Sequence, residues 1–299
     1  MMSLLSRNSK FDRWFDILNY TILSIVLLVV LYPLYIVVIS SISDPDAVNT
    51  GRVWLIPQDI TFAGYRLILS DGQIWTGYKN TLIYTVLGTS LNVVLSLTGA
   101  YALSRSDLVG RNFFMLLIVF TMFFGGGLVP SYLLIKHLGM TNTIWSQIIP
   151  GAVSAYNLII TRTFFQTTIP KEMQEAAEMD GSTITRFFIR IVLPLSLPIV
   201  AVMVLFNAVS HWNSYFTGLI YLRDHKLYPL QLVLREILIV NSAPTESAVA
   251  GAGDDSSMMR IADIMKFGVI IVSSLPVLVL YPFLQKYFVK GVMIGSLKG

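Results

Sequence analysis

The sequence predicts an all-α integral membrane protein with six transmembrane helices, and three observations lead there. The chain of 299 residues is 55% hydrophobic and only 13% charged, with a mean hydropathy of +0.69, whereas soluble domains carry about 25% charged residues. Its 21 basic and 17 acidic residues could not cover a soluble surface of this size without large apolar patches, so the surface must face lipid. Second, six long stretches hold no charged residue at all: 17–43, 80–104, 112–135, 137–161, 191–222 and 267–285. Each reaches the roughly 20 residues that cross a hydrocarbon core at about 1.5 Å per residue. Third, these runs are solidly apolar, and a membrane barrel would instead alternate over roughly 10-residue segments.

Within these stretches the predicted helices are 17–43, 80–104, 112–135, 140–161, 194–222 and 267–285. They form one transmembrane domain over 17–288, between an N-terminal segment 1–16 and a tail 289–299. The first helix follows Arg7, Lys10 and Arg13, as the apolar core of a signal peptide would. It is longer than the roughly 7 to 15 residues of such a core, and Ser41-Ile-Ser43 is its one small-x-small sequence, so it reads as a retained helix. Six crossings place both termini on one side. If that side is the cytoplasm, 12 of the 21 Lys and Arg lie inside, in the shorter total length of loop, and the excess is clearest at the turn 105–111 and at the two termini. Both ends are therefore expected to be cytoplasmic.

The loops are unequal. Two long ones, 44–79 and 223–266, are expected outside, the second containing the small, polar run Ser242 to Ser257 with a Gly- and Asp-rich stretch from Ala248 to Asp255. Inside, only 162–193 is long, and it carries most of the information. Pro170 suits a first helical turn, Glu172 and Glu175 favour the positive end of a helix dipole, and Gly181 is placed for a left-handed C-terminal cap. On this short helix Met173, Ala176, Ala177 and Asp180 share one face, with two small side chains that permit close approach by another surface. Ser182 can then cap a second helix with an apolar stripe of Ile184, Phe187, Phe188, Ile191 and Val192, ending at Pro194 and Pro198. Such an elbow has two readings. It can lie on lipid headgroups as an amphipathic helix, or it can meet a protein. The acids Glu172, Glu175, Glu178 and Asp180 favour a protein, because an anionic leaflet would repel them.

The elbow also carries a resemblance. Glu175-Ala-Ala-Glu-Met-Asp180-Gly181, followed by Leu193-Pro-Leu-Ser-Leu-Pro198, resembles the EAA loop of the membrane subunits of binding-protein-dependent ABC importers. Further stretches are similar to the carbohydrate permeases of type I, maltose-permease-like fold, and to their LplC/YtcP-type branch for oligo- and polysaccharides. They are Gly125-Gly-Gly-Leu-Val-Pro130, Pro150-Gly-Ala-Val-Ser154, His211-Trp-Asn213, Tyr228-Pro-Leu-Gln-Leu-Val-Leu-Arg-Glu236 and Tyr281-Pro-Phe-Leu-Gln-Lys-Tyr-Phe-Val-Lys290. The resemblance implies a multi-pass protein of a prokaryotic cell membrane that pairs with a second permease as a heterodimer. It further implies two cytoplasmic ATPase subunits, which bind the ATP and Mg, and an extracytoplasmic solute-binding protein. By the same resemblance, Glu175, Ala176, Ala177, Asp180 and Gly181 dock on the ATPase.

Nothing in the chain itself points to catalysis, a resident cofactor or nucleic acid. There is no GxxxxGK[ST] and no Gly-Lys pair, so no loop cradles phosphates while a lysine reaches them. The three histidines, His137, His211 and His225, are far apart without an HExxH, cysteine is absent, and no basic run is interleaved with aromatics. No Asp or Glu lies in the six stretches, which counts against an ion pump or an intramembrane enzyme. What remains is uncharged. Asn207, His211, Trp212, Asn213 and Tyr215 cluster near the outer half of the fifth helix, where amides and rings suit a sugar's hydroxyls and C–H faces. Membrane-interface anchoring and helix packing account for the same residue types. Asn92, Ser96, Tyr156 and Asn157 are weaker candidates of the same kind.

Overall fold

The computed structural model describes residues 10–240, 263–279 and 282, and among these every regular element is helical, with no strand. Two compact units share the described residues: one within Met1–Ser70 and Ile237–Val272, the other within Asp71–Glu236 and Ser273–Gly299.

In the first unit, α1 (Lys10–Ser41) is exposed along almost its whole apolar length, as a lipid-facing helix should be. The short α2 (Pro45–Asn49) starts on an Asp44 cap that accepts the Asp46 N–H, with proline at the first helical position. α3 (Ala63–Ser70) buries Gly64 and Ile68. A Cβ on Gly64 would overlap the Ile264 carbonyl oxygen, and the Ser41 hydroxyl meets the Tyr65 hydroxyl at 2.8 Å.

The second unit is built on α4 (Gly72–Ser104), which begins well before residue 80 because Asp71 caps it, accepting from the N–H groups of Gln73 and Ile74. Its buried face combines Ile74, Tyr84, Leu97, Tyr101 and Leu103 with polar or small residues, Asn80, Thr81, Gly88, Asn92, Ser96 and Ala100, a composition that draws membrane helices together. The stretch expected as one helix over 112–135 is two, α5 (Arg111–Phe123) and α6 (Leu128–His137), bent by 115°. Gly127 sits at φ 81°, ψ 178°, a backbone region open essentially to glycine alone. Likewise 140–161 divides at Pro150 and Gly151 into α7 (Trp145–Ile148) and α8 (Ala155–Thr168), so helix runs on past Arg162. α9 (Lys171–Met179) and α10 (Ile184–Phe187) follow.

Beyond α10 the chain does not stop at Pro194. A π turn over Phe188–Val192 leads into α11 (Leu193–Leu195), and the break falls at Ser196, where the axis turns by 80° into α12 (Leu197–Trp212). In the widened turn the Leu193 N–H reaches the Phe188 carbonyl, and this register lets Pro194, which has no N–H, ride inside a helix. α13 (Phe216–Tyr221), a 3₁₀ turn at His225–Leu227 and α14 (Leu230–Val240) continue the chain, and α15 covers 263–279. α12 and α8 both pack on α4.

Among the described residues, two helices are long and apolar enough to cross a membrane alone, α1 and α4, or up to four spans exist if each bent pair is one. The sequence predicts six. The difference lies in 140–161, which is divided, and in 267–285, of which 280–281 and 283–285 are outside the described residues. The run Ser242 to Ser257, the tail 289–299 and the motif from Tyr281 to Lys290, apart from Pro282, also lie outside them.

Candidate functional site

The elbow is assembled by local backbone chemistry. Pro170 occupies the N-cap of α9, and at the other end Gly181 adopts φ +73°. The Gly181 N–H donates to the Glu178 carbonyl (3.0 Å) and the Ser182 N–H to the Ala177 carbonyl (2.9 Å), the paired bonds of a Schellman cap. The residue capping α10 is Thr183 and not Ser182: its hydroxyl accepts the Arg186 N–H at 3.3 Å.

The predicted docking face divides in two. Ala177 is 8% exposed and lies in the chain's own core with Leu97, Tyr101, Phe165 and Phe187, and Met173 packs against the same cluster. Glu175, Ala176, Asp180 and Gly181 are exposed, and Met179 is 89% exposed. So α9 is held to α4 and α8 by one edge and presents an acidic edge with one small residue and one bare methionine. A clamp at the α4–α5 turn supports it. Arg105 donates to Asp107 through Nε (2.8 Å) and Nη2 (2.6 Å) and to the Tyr101 hydroxyl (3.3 Å), and it faces Glu178 of α9 at 3.5 Å. The hydrogen bonds to Asp107 keep Arg105 firmly protonated, and those from Arg105 draw the Asp107 carboxyl below the usual carboxylate range. The sequence reading missed this clamp. Its signal is an Arg and an Asp two residues apart in a short charged turn.

The five polar and aromatic residues expected together at the end of α12 are separated. Asn207 and His211 face α4, where the Asn92 amide donates to Asn207 Oδ1 at 3.0 Å and lies 3.3 Å from His211 Nε2. Turned over, the same amide reaches the Gly88 and Ala152 carbonyls at 2.9 and 3.2 Å. Gly88 makes room for the imidazole, since a Cβ there would overlap the ring. Trp212 is buried, donates Nε1–H to the Ser273 carbonyl at 3.0 Å, meets Tyr78 edge-on and walls an apolar groove of about 760 Å³ between α4, α12 and α15. Asn213 is exposed and folds back on the Val209 carbonyl at 3.0 Å, and Tyr215 is exposed beneath Arg235, 5.9 Å from its ring centre.

Of the weaker candidates, Asn92 is thus central, Ser96 and Asn157 are buried and Tyr156 is exposed. The sequence reading also passed over a relay from Ser214 through Thr217 to Gln147 (2.6 and 2.9 Å) and a clasp on the segment 226–230. There Asn80 holds the Lys226 and Tyr228 carbonyls, Tyr84 the Leu227 carbonyl, and the Thr81 hydroxyl accepts the Leu230 N–H. No group of three or more potential metal-ligating side chains occurs among the described residues.

Residues 1–252 match the family described as the binding-protein-dependent transport system inner membrane component. The chain is 40% identical over 289 residues to the polygalacturonan/rhamnogalacturonan transport system permease protein YtcP of Bacillus subtilis, covering 96% of this chain and 99% of that one. It is 36% identical to protein LplC of the same organism, covering 98% and 97%. Among solved structures, a bacterial ABC transporter involved in the import of the acidic polysaccharide alginate contains a chain that superposes with a TM-score of 0.82 at 34% identity, covering 94% of this chain and 98% of that one.

Proposed function

The chain belongs to the family of binding-protein-dependent transport system inner membrane components, and from that premise we propose that it is the permease subunit of an ABC importer for an oligo- or polysaccharide. The similarity to YtcP over nearly the full length of both chains carries this reading. The relatives named for polygalacturonan, rhamnogalacturonan and alginate handle acidic polysaccharides, so a uronate-containing chain is the first substrate class to test. Six crossings put both termini in the cytoplasm, with the elbow on the same side.

The partners are a second permease, two ATPase subunits and an extracytoplasmic solute-binding protein. This chain holds no nucleotide; ATP and Mg belong to the ATPases. ATPase closure reaches the permease at the exposed edge of α9, through Glu175, Ala176 and Asp180, while Ala177 and Gly181 fix that edge to α8 and α10. Movement of α9 is passed through the π turn to α12, altering which side the path beside α4 faces. Of the expected path residues, Asn207 and His211 remain the candidates together with Asn92, which they already meet in a buried hydrogen-bonded contact that would have to open to receive a hydroxyl, and the burial of Trp212 favours a packing role for it.

The test is uptake by proteoliposomes that contain the complete transporter, with oligogalacturonides compared against a neutral oligosaccharide and a peptide. ATP-dependent accumulation of either saccharide supports the reading, and accumulation of the peptide alone overturns it. Failure of any ATPase to co-purify with the chain would remove the importer altogether.

A further inference from the structure

We propose that the crevice between the α4–α5 turn and the start of α9 binds a phosphate group, carried by an anionic phospholipid headgroup or by free phosphate. The crevice encloses about 290 Å³ and is lined by Arg105, Arg111 and Lys171 together with Ser104, Ser106 and Gln174, and by no carboxylate. Three cations thus converge on one cavity. Arg105 is already engaged: its side chain is 10% exposed, and Asp107 and Glu178 take up its charge. Arg111 and Lys171 are not: among the described residues neither forms an ion pair, and the Arg111 guanidinium donates to the Arg105 carbonyl alone, at 3.4 Å. Arg162 lies near enough for its charge to work against that of Arg111, and its Nε is spent on the Leu103 carbonyl.

Like charges gathered in a partly enclosed space raise its affinity for an anion. Phosphate suits it best, because a guanidinium and an ammonium can each donate charge-assisted hydrogen bonds to separate oxygens. Pro170 supplies no side-chain cap for the first N–H groups of α9, although Glu172 in the same turn already complements that end of the helix. The position also fits a headgroup: the acids of α9 that an anionic leaflet would repel lie on its exposed edge, whereas the crevice lining holds none of them. The turn 105–111 joins two charge-free stretches that end at 104 and begin at 112, so the cations stand where hydrocarbon gives way to water. This placement rests on the membrane reading above. A phosphate held by Arg111 and Lys171 would tie the α4–α5 turn to α9 and stiffen the elbow at its base.

The experiment uses the full-length chain with the subunits that co-purify with it, in nanodiscs of phosphatidylcholine alone or mixed with phosphatidylglycerol. Native mass spectrometry counts retained phosphatidylglycerol, and melting of the phosphatidylcholine sample with and without inorganic phosphate reads free anion. Arg111→Gln with Lys171→Gln should weaken whichever binding occurs by about tenfold or more, two charge-assisted contacts being lost. Retained phosphatidylglycerol that the double variant loses identifies the lipid as the source. A phosphate-induced rise in melting that the variant loses identifies the free anion. If neither lipid nor phosphate distinguishes the native chain from the variant, the proposal is wrong. Lys171→Gln alone, at an exposed position, decides the matter if Arg111→Gln does not assemble. Both readouts are taken on the embedded chain whether or not an ATPase is present, so their failure and the failure of the importer reading are separate results.

Discussion

Gly88 and His211 show how single residues set the interior of the second unit. The imidazole occupies the space that a side chain on Gly88 would need, and it lies 3.3 Å from the Asn92 amide. Gly88→Ala should therefore lower stability by about 1–3 kcal/mol, the usual cost of forcing an extra methyl into a packed site. His211→Ala in the same chain should recover much of that loss, and melting of the single and double variants in detergent checks the compensation. A second residue-scale consequence concerns Asp107. Its carboxyl is held below the ordinary value of about 3.9 by the Arg105 hydrogen bonds, so its contribution is present above that pH and is lost as pH falls through the lowered folded value. Asp107→Asn should melt below the native protein at neutral pH, and the gap should close on acidification below about 3.9. A constant gap would show that the carboxylate charge contributes nothing.

At the scale of elements, the glycines separate backbone need from space. Gly125 and Gly127 both border the 115° bend, and a Cβ on either would meet nothing within 4 Å, yet only Gly127 has positive φ. Gly127→Ala should cost about 1 kcal/mol or more, and Gly125→Ala close to nothing, by the same melting assay. The contrast also marks what a sequence discloses. The ends of α9 are legible because proline and glycine act locally, whatever packs around them. The bend itself is less so: three glycines weaken a helix without saying whether it straightens or folds back, since neighbouring helices decide. Pro194 misleads for the opposite reason, because a π turn reconciles it with a continuing helix. In the same way Asn92 could not be ranked above Tyr156 from sequence, as their difference arises only when α12 is laid along α4.

For the whole molecule, the issue is whether α9 is the point at which a partner drives the chain, and adjacent alanines provide the test. Ala177 lies in the core beside Phe165 and Phe187, while Ala176 on the same helix is exposed. Bulk at position 177 must displace the chain's own helices, so Ala177→Trp should lower melting and yield before any partner is added. Bulk at 176 meets only solvent in the isolated chain. Ala176→Trp should therefore melt like the native protein but lose ATPase subunits during purification, because a wedge on the proposed docking edge would prevent close approach. Glu175→Gln keeps the shape and removes a charge, so association should weaken by about 1.5–3 kcal/mol if its partner is cationic. The measurements are melting, the ATPase recovered per permease, and stimulation of ATP hydrolysis by saccharide-loaded binding protein. Capture of saccharide by the binding protein alone should be unchanged in all three variants, since the proposed topology puts the elbow on the opposite side of the membrane. Normal association and stimulation in Ala176→Trp would mean that the exposed edge of α9 carries no partner, and the drive would have to enter elsewhere.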